Sequence, residues 1–175
     1  MAVLTGKEIE RKFLVKTLPA NLEAYPKKEI EQFYLSLIPE IRVRRSGDNY
    51  LYETKQGTGL VREETSVKIE ADEYERLKSR TSWSVIKKTR HYIQLDCGLT
   101  VEVDIFHGDL ALLVMAEIEF PSEQEANMFL PLSWFGKEVT YDEAYKNQSL
   151  AVRDFNIRQC FICGYFRKVG LSSLI

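Results

Sequence analysis

Thr100-Val101-Glu102-Val103-Asp104-Ile105-Phe106 alternates polar and apolar residues along its length. Successive side chains of a strand point to opposite faces, so this stretch has a carboxylate face and a branched, apolar face. The same alternation, with β-branched and aromatic content and turn residues at the joins, recurs along the chain. It predicts strands over about 6–15, 29–37, 40–46, 49–56, 60–70, 84–95, 99–106 and 112–120. Gly47-Asp48, Gly57-Thr58-Gly59 and Asp96-Cys97-Gly98 stand where tight connections are needed. Short links favour antiparallel pairing.

Helical signals are fewer. Asp72 to Arg80 places Tyr74 and Leu77 on one face. Ser122-Glu123-Gln124-Glu125 follows Pro121 and resembles a capping box, opening a helix through about Phe129. A third helix is expected from near Asn147 to about Asn156. The expected class is mainly β (α+β): an eight-stranded antiparallel sheet able to close into a barrel, with a few flanking helices. Closure of the sheet removes its exposed edges.

The chain has 175 residues, enough for about one domain. Hydrophobic residues at 45% and charged residues at 29% exclude disorder as the main state. Lys plus Arg number 24 against 26 Asp plus Glu. That balance offers no excess positive field for a polyanion, so neither a nucleic-acid nor a membrane partner is expected. Met1 to Lys12 lacks the apolar core of a secretory signal, and the longest apolar run, Leu110 to Ala116, has the length of a buried strand. Cys97, Cys160 and Cys163 make an odd count without such a signal, which predicts reduced thiols in a cytoplasmic protein.

The placement of the charges carries more information than their total. Glu8, Glu10 and Lys12 share one face of the first strand, opposite Ile9, Arg11 and Phe13. Arg42 pairs with Arg44, Glu53 with Lys55, Lys88 with Arg90, Glu102 with Asp104, and Glu117 with Glu119. The fifth strand offers Arg62, Glu64 and Lys68, with Ser66 between them. Any one pair fits the solvated face of an antiparallel sheet. As a set they are sorted by strand, whereas a solvent face usually mixes signs. Such faces turned into one barrel would be very costly unless the charges bind one another, counter-ions and ligands. Clustered carboxylates suit Mg²⁺ or Mn²⁺, and Arg and Lys heads suit phosphate oxygens.

These residues resemble the CYTH domain, or triphosphate tunnel metalloenzyme superfamily, in its small bacterial inorganic triphosphatase type. Glu8-Ile9-Glu10-Arg11-Lys12 is similar to the N-terminal E-x-E-x-K motif. Arg42-Val43-Arg44 is similar to the R-x-R strand, Thr54-Lys55 to the T-x-K strand, and Arg62 with Glu64 to the next. Lys88-Thr89-Arg90, Asp104 and Glu117-Ile118-Glu119 follow in order. Trp134-Phe135-Gly136 and Tyr145-Lys146-Asn147 resemble segments that follow the barrel. The likeness spans about residues 6 to 153; the tunnel domain is read as 1–153, and 154–175 as a tail with room for helix and not a separate domain. Ser66 departs from the pattern, because small bacterial members tend to carry a second acidic residue there.

The resemblance implies an eight-stranded antiparallel β-barrel forming a polar tunnel, and in it metal-dependent hydrolysis of a linear triphosphate, foremost tripolyphosphate to pyrophosphate and phosphate. Lys12, Arg42, Arg44, Lys55, Arg62, Lys88 and Arg90 would hold phosphates. Glu8, Glu10, Glu117 and Glu119, with Asp104, would hold Mg²⁺ or Mn²⁺. Glu64 would orient the attacking water, with Lys12 and Lys88 as further catalytic groups. The expected partner is a small-molecule triphosphate, and a monomer and a homodimer are both compatible. Within the fold the alternatives are thiamine triphosphatase and class IV-type adenylyl cyclase. Outside it they are a non-catalytic polyphosphate or phosphorylated-ligand binder, which has no use for four clustered carboxylates, and a protein scaffold, which leaves the charge sorting unexplained.

Other signals are weaker. Cys160-Phe161-Ile162-Cys163 lacks the two further ligands of a structural zinc site and the βαβ context of a redox motif. His91 falls on the face opposite Lys88 and Arg90, and His107 lies at a strand end. Tyr34 has either a tunnel-facing or a packing role. No Ser/His/Asp set, Gly-rich phosphate loop or dinucleotide fingerprint is present.

Overall fold

The computed structural model describes residues 3–57 and 60–152. Nine strands run through them: β1 (Val3–Val15), β2 (Lys27–Leu37), β3 (Glu40–Ser46), β4 (Asn49–Gln56), β5 (Val61–Ile69), β6 (Ile86–Gln94), β7 (Thr100–Phe106), β8 (Val114–Glu119) and β9 (Phe135–Glu138). Eight form a ring of antiparallel neighbours in the order β1-β5-β4-β3-β2-β6-β7-β8, returning to β1. The 13-residue length of β1 makes closure possible. Its first half, Val3–Ile9, pairs with β5, and its second half, Glu10–Leu14, pairs with β8. β9 adds to β1 at Phe13 and Val15.

Three short helices serve the outside. α1 (Ala71–Lys78) drops Tyr74 into a buried cluster with Phe33 and Val43. The Tyr74 hydroxyl donates to Glu31 Oε1 at 2.9 Å, and Lys78 reaches the same oxygen at 2.6 Å. α2 (Glu123–Met128) starts on the Ser122 hydroxyl, which accepts from the Glu125 N–H at 3.1 Å. Its far end meets Arg11, which donates to the carbonyls of Ala126 and Phe129 at 2.8 and 2.9 Å. The same guanidinium forks onto Glu138 of β9. These bonds satisfy helix-end carbonyls that have no partner of their own. Beneath α2, Ala126 joins Phe13, Ile118 and Phe135 in the largest outer cluster.

The inward face is not charged throughout. At one end Leu14, Tyr34, Ile86, Phe106 and Met115 occupy inward positions of their strands, each 0–1% exposed. Leu150 and Ala151 of α3 (Asn147–Val152) cover them, together with Leu110, Leu113 and Val139. This end is therefore filled by an apolar plug. Tyr34 belongs to it, which gives that residue a packing role.

All eight expected strands are present and pair antiparallel, with β3 and β4 at their expected limits. Differences lie at the ends and after the barrel. β8 begins at Val114 rather than 112 because Leu112 takes a left-handed φ of 80°, which a strand does not allow. Gly47 and Gly98 have φ of 57° and 87° in the expected turns. β9 was not expected; at 4 residues it is too short to show an alternation. The third helix is described to Val152, so its expected reach to Asn156 lies outside the described residues, as do Thr58, Gly59 and Cys160 and Cys163 of the tail. No described helix is long and apolar enough to cross a membrane.

Candidate active site

The barrel register sets all the sorted charges on its inner face. Lys12 lies directly opposite Glu117, Arg90 opposite Asp104, and Lys55 opposite Glu64. Next to the plug, Lys88 is 1% exposed and its ammonium lies 2.5 Å from Asp104 Oδ2. Arg90 forks onto both oxygens of Asp104, at 2.7 and 2.6 Å. It also donates to Glu117 Oε2 at 2.5 Å and to Glu102. Lys12 meets Glu117 at 2.7 Å and Glu10 at 3.5 Å.

The opposite wall is a second network. Glu53, with no exposed surface, takes Arg42 on one oxygen at 2.8 Å and Arg44 on the other at 2.6 Å. Lys55 bridges Glu8 and Glu64 at 2.7 and 2.6 Å. Arg42 reaches Glu64 at 3.5 Å, and Arg62 stands 3.8 Å from Glu10. Paired in this way, the charges escape most of the cost of an unpartnered buried ion.

Titration behaviour follows from these neighbours. Burial pushes the Glu117 carboxyl up, but Lys12, Lys88 and Arg90 outweigh it and hold it well below the usual carboxylate range. Burial works against the charged form of Lys12 as well, yet Glu117 and Glu10 raise it. Arg44 is lowered, by burial and then by the like charge of Arg42. Lys88 is lowered because burial outweighs Asp104.

Glu119 is different. It is exposed at the end of the inner face away from the plug, and it makes no ion pair or hydrogen bond with a described residue. Glu10 lies directly across from it in the β1–β8 ladder, an unfavourable placement for like charges. Its carboxyl is raised by burial and by Glu8, Glu10 and Glu64. These four carboxylates form the acidic mouth of the tunnel. Among the described residues no three His, Cys, Asp or Glu side chains are arranged to enclose a metal ion by themselves.

The structure thus brings all the expected site residues to one inner face and separates their surroundings. Asp104, expected with the metal carboxylates, is fully buried and has both oxygens engaged by Arg90 and Lys88. The T-x-K likeness needs correcting in one detail: Thr54 alternates with Lys55 and so faces outward. The residue two before a tunnel lysine, on the lysine's own face, is Glu53. Sequence reading gave Glu53 and Glu102 no role, though that spacing would have drawn attention to Glu53. His91 is buried on the outer face, and His107 contacts Thr89 there at 2.7 Å. Neither belongs to the tunnel.

The inorganic triphosphatase of Nitrosomonas europaea is 41% identical to this chain over 149 residues, covering 83% of the chain and 97% of that protein. The chain belongs to the inorganic triphosphatase family. A second family member, from Acetivibrio thermocellus, is 37% identical over 152 residues and is matched over 93% of its length. A crystal structure of an inorganic triphosphatase aligns with a TM-score of 0.66 at 37% identity, covering 84% of this chain and 95% of that one. No protein-family model matches the chain. Family membership bears out the likeness to the triphosphate tunnel superfamily and marks the chain as an enzyme.

Proposed function

We propose that this chain, as a CYTH-type member of its superfamily, hydrolyses inorganic tripolyphosphate to pyrophosphate and phosphate inside the barrel, with Mg²⁺ or Mn²⁺ bound at the mouth. The observation that carries the reading is the ordered inner face. It runs from an apolar plug, through buried Lys and Arg, to a carboxylate cluster in which Glu119 has no ion pair among the described residues. The relatives' common name, inorganic triphosphatase, supports the substrate.

Glu119, Glu8 and Glu10 fit a divalent cation. They are hard oxygen donors, they repel one another, and Glu119 makes no ion pair or hydrogen bond with a described residue. Mg²⁺ keeps several waters and takes few carboxylates, so a closed protein cage is not required. When bound, the cation neutralises phosphate charge and lowers the pKa of bound water. Glu117 and Asp104 are committed to Lys12, Lys88 and Arg90, and they act by holding those cations in place. Arg42, Arg44, Lys55, Arg62, Lys12, Lys88 and Arg90 line the tunnel walls and bind the phosphate oxygens. Phosphoryl transfer asks chiefly for such positioning and charge neutralisation. Glu64, held by Lys55 and facing Glu8, accepts a hydrogen bond from the attacking water.

The test is phosphate release from tripolyphosphate, thiamine triphosphate and ATP, each with Mg²⁺, Mn²⁺ or chelator. Release from tripolyphosphate should exceed the others and vanish with chelator. Cyclic AMP from ATP would move the assignment to a cyclase, and binding without turnover to a non-catalytic module.

A pH dependence follows. Protons compete with the cation for Glu119, whose carboxyl is raised from its ordinary value by burial and by Glu8, Glu10 and Glu64. The metal concentration giving half-maximal rate should rise as pH falls, beginning above the usual carboxylate pKa of about 4.3. A half-saturating metal concentration that is flat on the approach to that value would remove Glu119 from the cation site.

A further inference from the structure

Two departures from the family pattern meet in space. Ser66 stands where an acidic residue is expected, and Glu53 stands on the tunnel face where the T-x-K spacing places a threonine. The register pairs them directly: Glu53 on β4 faces Ser66 on β5. On the other edge of β4, Glu53 faces Arg42 of β3. A carboxylate thus stands directly across from position 66, on β4 rather than on β5.

The move changes what the carboxylate can reach. Glu53 gives one oxygen to Arg42 and the other to Arg44, at 2.8 and 2.6 Å. It has no exposed surface, so it is not a group that itself meets a cation or water at the mouth. Each guanidinium has five N–H donors in a rigid fork, and Glu53 uses only one of each. Arg44 Nε is buried and without a hydrogen-bond partner among the described residues. The bridge thus restrains two guanidinium groups and leaves donors on them, Arg44 Nε among these, for an anion.

We infer that Glu53 is a positioning residue: bridging Arg42 and Arg44, it orients them toward the reacting phosphate and tempers their pull on the substrate at rest. The inference rests on the triphosphatase reading for its substrate. Its two effects oppose each other in a measurable way. A negative charge beside two phosphate-binding arginines weakens ground-state binding of a polyanion. Fixed orientation favours the transition state, where small misplacements are costly.

Glu53→Gln keeps the shape and removes the charge. It should bind tripolyphosphate several-fold more tightly, by thermal shift and by KM, while kcat falls about tenfold or more. Adding Ser66→Glu to that variant returns a carboxylate to the facing position, about 5 Å away between Cβ atoms, and should recover part of the lost kcat. An unchanged kcat in Glu53→Gln overturns the positioning role, whatever happens to Tm, because a purely structural ion pair would move Tm alone. Weaker binding of tripolyphosphate overturns the tempering role. Should Glu53→Gln fail to fold, Glu53→Asp decides: it keeps the charge but is too short to hold both arginines, so kcat should fall with affinity unchanged, and an unchanged kcat overturns the proposal. If the wild-type chain binds tripolyphosphate without hydrolysing it, the triphosphatase reading fails. The affinity comparison still tests the bridge, with tighter binding by Glu53→Gln supporting it and weaker binding overturning it.

Discussion

Glu119→Gln is expected to abolish metal-dependent turnover while leaving the protein at least as stable as wild type at neutral pH. Removing a charged tunnel residue would ordinarily do both harms at once. Glu117→Gln, for instance, should cost activity and fold stability together, because Lys12 and Arg90 would lose a buried counter-ion. Glu119 has no such partner among the described residues, and it faces Glu10 across the β1–β8 ladder. Its ionisation in the folded state is opposed by burial and then by Glu8, Glu10 and Glu64. A carboxyl whose folded pKa is raised destabilises the fold above that pKa and ceases to do so as pH falls through it. The Tm advantage of Glu119→Gln should therefore appear at neutral pH and disappear in acid, where the wild-type residue is protonated too. Activity should be lost because the mouth gives up a hard oxygen donor that is not tied to a lysine or arginine. Full Mg²⁺-dependent activity in the variant would sink the assignment of Glu119 to the cation. A lower Tm at neutral pH would show that the residue has a stabilising partner.

This contrast between two neighbouring glutamates was only half legible in the sequence. Alternation placed Glu117 and Glu119 on one face with no further information, because a period of two fixes side and not depth. Depth came from closure. Position 115 of the same face is a buried methionine in the plug, 117 is a buried carboxylate in an ion network, and 119 is exposed. The plug escaped notice for the same reason, since Leu14, Ile86 and Met115 read as ordinary continuations of their strands. Pairing also escaped. Nothing in Glu102-Val103-Asp104 says that Asp104 gives both oxygens to Arg90 and Lys88, as those partners come from β6. By contrast, the strand positions, the turns at Gly47 and Gly98 and the cap at Ser122 are local properties, and local chemistry was enough to place them. Arg11 was placed on the outer face correctly, but its grip on α2 and β9 depends on residues more than a hundred positions away.

Arg90 should be the most costly tunnel residue to remove. Its guanidinium meets Glu102, Asp104 and Glu117 at once, and the residue is 7% exposed. Arg90→Met keeps much of the volume and leaves three carboxylates with Lys88 and Lys12 as their nearby cations. Breaking a buried pair on one side costs about 3–5 kcal/mol, because the partner's charge remains buried without compensation. For a chain of this length each kcal/mol moves Tm by about 2–4 °C, so a fall of roughly 10 °C is expected at neutral pH. The pH dependence separates this cause from lost packing. In wild type the Glu117 carboxyl is held well below its ordinary range, so the stabilisation from its pairing is present above that range and is lost as pH falls through the depressed value. Without Arg90 its pKa rises and there is less to lose. The gap in stability between wild type and Arg90→Met should therefore narrow on acidification, whereas a packing defect would persist unchanged. Arg90→Lys supplies one ammonium that cannot fork onto Asp104 and still reach Glu117 and Glu102, and it should recover only part of the stability and little of the turnover. A deficit in Arg90→Met below about 1 kcal/mol, the range of an exposed ion pair, would mean that the three carboxylates find other partners and that Arg90 is not the centre of the tunnel's charge network.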